Sequence, residues 1–244
     1  MLVSVIIITL NEAKNLETII KNVKNAAQFP SGNKVPIEII VSDGGSTDGT
    51  PEIAKRIADK VIVGPKGRYL QLNTGANRAK GSILVFLHAD TILPKGAIIR
   101  ILAKFKNPNI VGGCFKKYWN WNPTVKRSSF LRFANYWWQG LGNWLVNLLR
   151  IFPGDNVIFV RELIFKELGG FQPLWICEDF DFSHRLKTYG KKRIAYIRTA
   201  VLTSTRRYEK FGFFHTIFLW FRIYWTWRLG LSQKRIKTML KDVY

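Results

Sequence analysis

Residues 4–10 and 82–87 are apolar runs with no alternating polar positions. A strand with one wet face would show a polar residue at every second place, so these read as strands buried on both faces of a parallel sheet. Residues 37–42, 61–63 and 110–115 give further strands. Between them the period changes. Leu16, Ile19, Ile20 and Val23 form a helical stripe, and 50–58, 69–79 and 94–106 read as helices. Thr50 is placed as the N-cap of its helix, with Pro51 at the first helical position. Strands alternating with helices across the first 115 residues predict an α/β fold with a doubly wound, mostly parallel sheet.

The pattern shifts after Phe115. Residues 118–123 read as an aromatic loop, and 129–149 as a helix. Phe130, Phe133, Trp137, Leu141, Trp144, Leu145 and Leu148 share one face of that helix, and Asn135, Gln139 and Asn143 another. The expectation is that the apolar face is buried against the sheet or a partner. A strand at 157–160 and a helix at 161–168, ended by Gly169-Gly170, follow. A helix then begins near Cys177 and stops at Gly190, and 194–197 and 201–202 are weak strands. Residues 211–231 are long and apolar enough to weigh as a membrane span, but His215, Arg222 and Arg228 interrupt them. A central Arg costs about 2.5–3.5 kcal/mol on insertion scales, which favours a helix lying in an interface or packing on the domain. His215, Arg222 and Thr226 fall on one face of it, and the four basic residues of 234–241 suit anionic headgroups.

Composition adds one strong bias. The chain has 38 Lys and Arg against 16 Asp and Glu, a net charge of +22. Such a field favours anionic partners, and 14% aromatic residues fit either nucleic acid or a membrane interface. Cys114 and Cys177 are too few for a disulfide framework and point to a reducing compartment. The apolar start lacks the basic flank and cleavage site of a signal peptide, so it is taken as the first strand.

The scarce acids are not scattered. Thr9, Asn11 and Glu12, then Asp43, then His88 and Asp90, end three separate strands. Open α/β sheets bind ligands at that edge, and a charge placed there is costly unless something pairs with it. His88 and Asp90 therefore read as a site suited to a metal ion.

In order along the chain stand Ile8-Thr9-Leu10-Asn11-Glu12, Val41-Ser42-Asp43-Gly44-Gly45-Ser46-Thr47-Asp48-Gly49-Thr50, Leu87-His88-Ala89-Asp90-Thr91, Gly154-Asp155-Asn156 and Glu178-Asp179. Together they resemble the family-2 inverting glycosyltransferases of GT-A (Rossmann-like) fold. The likeness is greatest to a bacterial and archaeal subgroup with a His-Ala-Asp motif and a Thr-Ser-x-Arg-Arg stretch, here Thr203-Ser204-Thr205-Arg206-Arg207. The resemblance covers the chain from the first strand to about Gly230. It implies a glycosyltransferase domain at 1–210, with a nucleotide-binding half at 1–115 and an acceptor half at 116–210, and a basic amphipathic segment at 211–244.

It further implies a donor, a UDP- or GDP-sugar, held by Thr9, Asn11, Glu12, Asp43, Gly45, Arg68, Asn73, His88 and Ala89. Asp90 would ligate a divalent metal, Mn²⁺ or Mg²⁺, and Arg206 and Arg207 would take the diphosphate. Gly154, Asp155, Asn156 and Glu178 would line the acceptor pocket, and Asp179 would be the general base. The wider family has Asp-x-Asp where this chain has His88-Ala89-Asp90, so His88 is either a second ligand or a residue that orients a neighbour. The basic, aromatic second half suggests a lipid or lipid-linked hydroxyl acceptor and a cytoplasmic enzyme peripheral at the inner face of the membrane. No nucleic-acid partner is implied, and the oligomeric state stays open. Other readings stand beside these. Asp43-Gly44-Gly45 is also turn chemistry, Glu178-Asp179 also complements a helix N-terminus, and Arg206-Arg207 also suits a solvated surface. The whole chain also fits a nucleic-acid-binding protein, or a nucleotidyltransferase on a similar sheet.

Overall fold

All seven residues of β1 (Val3–Thr9) are buried. It is the axis of a computed structural model that describes residues 1–29, 31–120, 129–174, 176–190 and 193–230. β1 pairs in parallel with β2 (Ile37–Asp43) on one side and β4 (Ile83–His88) on the other, and β2 pairs in parallel with β3 (Lys60–Val63). Helices α1 (Ala13–Ala26), α2 (Thr50–Ile57) and α3 (Arg68–Asn77) connect these strands. Beyond β4 come the short β5 (Thr91–Ile92), α4 (Ala97–Phe105) and β6 (Gly112–Asn120). Helix α5 (Ser129–Leu149), a 3-10 turn (Gly154–Asn156), β7 (Ile158–Arg161), α6 (Glu162–Glu167) and α7 (Glu178–Gly190) follow. The chain then runs through β8 (Ile194–Ser204), α8 (Arg206–Phe211) and α9 (Phe213–Arg228). The sheet order is β3-β2-β1-β4-β7-β6-β8-β5.

Both faces of the sheet are covered, as the unbroken apolar runs require. Val3, Val5 and Ile7 point into one core with the α1 stripe, Ile98 and Phe159. Ile6 and Ile8 point into the other with Leu72, Phe86, Phe165 and Phe182. The predicted stripe Leu16, Ile19, Ile20 and Val23 is the buried face of α1. The sheet is mixed in its second half: β7 runs antiparallel to both β4 and β6, whereas β6 and β8 are parallel. Gly113 lies where β6, β7 and β8 meet. A Cβ there would stand 2.1 Å from the Ala195 carbonyl oxygen and 2.7 Å from the Phe159 ring.

Several elements differ from the sequence reading. β6 extends through Trp119 to Asn120, into the expected loop, because β8 pairs with it residue by residue as far as Ser204. The remainder of that loop, 121–128, is outside the described residues. β8 is one strand with a bulge, not two weak ones: pairing jumps from Phe115↔Ile197 to Lys116↔Ala200. β5, which the pattern did not signal, pairs with β8 at Thr91↔Thr203. Thr50 is inside α2, not its N-cap. Gly49 takes the cap position at φ 87° and the Asp48 carboxylate accepts the Thr50 N–H at 3.1 Å, which frees the Thr50 hydroxyl oxygen to accept the Glu12 N–H at 2.9 Å.

The larger correction is α5. Among the described residues none of α5 is buried, and Phe133 and Trp137 are 61% and 62% exposed. Its amide stripe makes the contact with the sheet. Gln139 Oε1 accepts the Trp119 N–H at 2.7 Å, and the Asn143 amide bonds both the N–H and the carbonyl of Lys117, at 3.0 and 2.8 Å. The chain from Phe213 forms a helix that packs on the domain, one of the two expected outcomes. Its expected shared face divides: Thr226 is buried, and His215 and Arg222 are exposed. No helix among the described residues is long and apolar enough to cross a membrane. The basic stretch 234–241 lies outside the described residues.

At the opposite edge of the sheet from the strand ends, Glu38 is a buried acid that binds the turn before β4. Its carboxylate accepts the Ser4 hydroxyl and the Lys80 N–H, and Lys60 Nζ stands 3.2 Å away. Burial raises its pKa, but the Ser4, Lys80 and Lys60 contacts outweigh burial and hold it below the ordinary 4.5. The stabilisation is therefore present above about pH 4.5 and is lost as pH falls through the lowered value. Glu38→Gln is expected to destabilise the protein at neutral pH, with the gap closing in acid, as measured by denaturant unfolding across that range. Gly113→Ala is expected to cost roughly 1–3 kcal/mol or more in the same assay, because backbone, not a flexible side chain, blocks the new methyl.

Candidate active site

A cavity of about 1470 Å³ opens over the carboxyl ends of β1 and β4. Thr9 and Glu12 from the end of β1 line it, as do His88, Ala89 and Asp90 from the end of β4. Arg68 enters from α3, Asp155 and Asn156 from the 3-10 turn, Asp179 from α7, and Arg206 and Arg207 from α8. These eleven were singled out from the sequence. Asn11, Asp43, Gly45, Asn73, Gly154 and Glu178 were too, and they are not part of the lining.

Asp43 is fully buried and engaged by its own surroundings. It accepts the Thr9 hydroxyl at 2.8 Å, the Gly45 and Ser46 N–H groups at 2.9 and 2.7 Å, and the Ser46 hydroxyl at 2.6 Å. Asn11 joins the same turn, its side-chain oxygen accepting the Thr47 N–H at 2.9 Å. Asn73 clamps a different loop, bonding both the carbonyl and the N–H of Phe171 at 2.8 and 2.9 Å.

Arg68 is the hub of the far wall. Its Nε is 2.7 Å from Glu178 Oε1, and its Nη2 is 3.2 Å from His88 Nε2 and 3.7 Å from Asp179 Oδ2. Burial, and then the Arg68 charge, push the His88 pKa far down, so the imidazole is neutral at neutral pH. Its Nε2 lone pair can then accept an Arg68 N–H, which leaves the ring proton on Nδ1. Burial raises Glu178, against the pull of Arg68 and with the help of neighbouring Asp179. Burial also raises Asp179, in spite of Arg68 and two backbone donors. Those donors are the Gly154 N–H, to Oδ2, and the Phe180 N–H, to Oδ1 at 2.7 Å. Gly154 has no room for a side chain: a Cβ would meet His88 Nε2 at 2.9 Å, Asp179 Oδ2 at 3.2 Å and Arg68 Nη2 at 3.3 Å.

The remaining acids are paired. Lys117 Nζ is 2.9 Å from Asp155 Oδ2; burial raises the Asp155 pKa, but the charge and hydrogen bond of Lys117, together with His88 and Arg68, hold it low. Arg206 Nη2 is 2.7 Å from Glu12 Oε1 and 3.7 Å from Asp90 Oδ2. Burial dominates at Asp90 and raises its pKa. The Arg207 guanidinium lies 5.4 Å from the Trp220 ring centroid. Among the described residues no three His, Cys, Asp or Glu side chains form a metal-holding group. A hard divalent ion bound through one carboxylate and a ligand's own phosphates needs no such group, and Asp90 offers that one oxygen donor at the cavity surface.

Backbone strain collects around this wall. Val157, Cys177 and Asn11 adopt φ of 57°, 68° and 55°. Val157 is β-branched, for which a positive φ is a true outlier. It follows Asn156, and Cys177 precedes Glu178, so both strained residues aim site side chains.

Sequence reading missed Lys117, Gln71 and Tyr208, all in the lining. Lys117 and Trp119 alternate into the cavity from β6, a period-2 signal hidden because that stretch read as loop. Buried Gln71 joins two strand ends, donating to the Thr9 and Ser42 carbonyls at 2.7 and 2.9 Å. No sequence pattern marks that role.

Known proteins share this fold. The solved S. aureus TarS 1–349 in complex with UDP-GlcNAc superposes with a TM-score of 0.60 at 19% identity, over 84% of this chain and 59% of that one. A mannosyltransferase from Pyrobaculum calidifontis, in complex with GDP-Man and Mn²⁺, gives 0.55 at 23% identity, over 82% and 56%. Both likenesses show the fold, which is GT-A. A probable glycosyltransferase of Bacillus subtilis, YdaM, is 26% identical over 73% of this chain, and the chain spans 46% of its length. Residues 4–167, about two thirds of the sequence, match the family described as glycosyl transferase family 2, and the chain belongs to that family.

Proposed function

We propose that this chain is a metal-dependent, inverting glycosyltransferase that moves a sugar from a UDP- or GDP-sugar to a hydroxyl of a lipid or lipid-linked acceptor. The observation that carries this reading is Asp179: a carboxylate at the cavity wall, held by two backbone donors and kept basic by burial. Thr9 and Glu12 hold the base and ribose. Asn11, Asp43 and Gly45 fix the turn beside them, and Asn73 fixes the Phe171 loop. A divalent ion, Mn²⁺ or Mg²⁺, when held by Asp90, neutralises charge on the donor diphosphate. His88, neutral and bonded to Arg68, orients that guanidinium, and Ala89 keeps the surface between His88 and Asp90 small.

The acceptor hydroxyl sits between Asp179 and the sugar, against Asp155, Asn156 and Gly154. Asp179 takes its proton as the oxygen bonds to the anomeric carbon from the face opposite the leaving group. The bond from that carbon to the diphosphate oxygen breaks, and the nucleoside diphosphate leaves with the electron pair. Arg206, Arg207 and Arg68 are the cations nearest to receive that charge. Glu178 anchors Arg68 from behind the wall and positions it. The enzyme works in the cytoplasm, peripheral at the inner face of the membrane. A nucleic-acid site would not put Glu12, Asp90, Asp155 and Asp179 on its surface, where each repels phosphate.

Asp179→Asn is expected to lower the transfer rate by roughly 10²–10⁴-fold while leaving nucleoside diphosphate binding near wild type. Single-turnover kinetics beside a thermal-shift titration read both. Nucleoside diphosphate is the expected product, and pyrophosphate release would instead establish a nucleotidyltransferase. Because the base must be deprotonated and its pKa is raised, activity is expected to fall with decreasing pH along a limb above the usual aspartate range. A kcat/KM profile checks this, with an unshifted limb counting against Asp179. Asp90→Ala is expected to abolish the metal-dependent part of the nucleotide-induced rise in Tm and to spare any metal-independent part.

A further inference from the structure

We propose that α5 and α9 together form a docking surface that seats the cavity mouth on an anionic lipid bilayer. This rests on the reading that the acceptor is a lipid, and it names the surface and the residues that meet the membrane. The starting point is the orientation of α5. Its amides face the sheet and its aromatic face is left outward, with Phe133, Trp137 and Trp144 at 61%, 62% and 57% exposure. α9 repeats the arrangement. It buries Thr216, Ile223 and Thr226, with Ile223 packed on Ile176 and Cys177, and leaves Phe214, Phe218 and Phe221 outward. The two outward faces are one surface, since the Phe130 and Phe214 rings stack with centroids 6.3 Å apart.

A contiguous exposed apolar surface marks a place where water is excluded by something else. The charges identify what. Neither helix contains an Asp or Glu, and Arg132, Arg222 and Arg228 are exposed on them. The exposed apolar set includes Tyr136, Trp137, Trp138, Trp144 and Trp225. Aromatic rings with a polar edge, set among arginines, belong at the boundary of headgroups and acyl chains. The net charge of +22 draws such a face to anionic headgroups.

The same helices wall the cavity. Trp138, Leu145 and Leu149 from α5 and Ile217, Trp220 and Phe221 from α9 line it beyond the polar site. An acceptor with its hydrocarbon chain in the bilayer can thus reach Asp179 with its hydroxyl without drawing the chain through water.

The test uses the full chain and vesicles of phosphatidylcholine alone or mixed with phosphatidylglycerol, read by co-sedimentation and tryptophan fluorescence. Wild type is expected to bind the anionic vesicles, with a blue-shifted emission and weaker binding at high salt. The double variant Trp137→Gln/Phe218→Gln, neither residue lining the cavity, is expected to bind roughly ten-fold or more weakly. Its Tm and its nucleoside diphosphate binding are expected to be unchanged. Equal vesicle binding by variant and wild type overturns the proposal, as does no binding by wild type. So does a wild-type dimer that the variant abolishes without any vesicle binding, which would assign the face to a second copy. Vesicle binding is read without turnover. If it behaves as expected while no nucleotide-sugar is consumed, the transferase reading fails and the docking surface stands.

Discussion

One guanidinium holds the chemistry of this site together. Glu178 is completely buried, Asp179 nearly so, and His88 lies within reach of both through Arg68. Without a cation these two adjacent carboxylates could not stay charged in so little water. With it, one carboxylate anchors the arginine, burial and then the arginine's charge keep the imidazole neutral, and burial gives the other carboxylate raised basicity against the arginine's pull. Gly154 fills the small space between them because nothing larger fits. The strained backbone at Val157 and Cys177 is the cost of aiming two chain segments at this one point.

The sheet explains how distant residues reach that point. Four parallel strands, β3-β2-β1-β4, deliver polar ends to one edge by the ordinary logic of a doubly wound fold. The second half departs from that logic. β7 enters antiparallel beside β4, directly after the 3-10 turn, so Asp155 and Asn156 arrive at the edge from a strand's beginning, not its end. From the outer half of β6, Lys117 meets Asp155. A parallel core supplies one wall and an inserted hairpin-like exchange supplies the other.

Legibility in the sequence followed the same division. β1, β2, β4, α1 and the strand-end residues Thr9, Glu12, His88 and Asp90 were readable because burial on both faces leaves a strong apolar signal that stops abruptly. Asp155, Asn156, Glu178 and Asp179 were singled out through the motifs of the family resemblance. β5 and the outer half of β6 were not, because short edge pairings carry little hydrophobic pattern of their own. α5 misled for a physical reason. A seven-residue apolar stripe ordinarily means core, but here hydrogen bonds between the Gln139 and Asn143 amides and the backbone of β6 decide which face turns inward. Asp43 shows the opposite limit: the sequence located it, and only the structure shows its carboxylate occupied by Thr9, Gly45 and Ser46.

The contact between Arg206 and Glu12 joins residues 194 positions apart. β5 likewise finds its partner in the distant β8. A ribosome emits Glu12 and the parallel core before α8, and those elements can collapse locally while synthesis continues. The wall that faces them is complete only after α8 has emerged. Nascent chains therefore pass through a long interval in which the sheet edge stands open, with Glu12 and Asp90 lacking their cation, and the site closes only once α8 is in place.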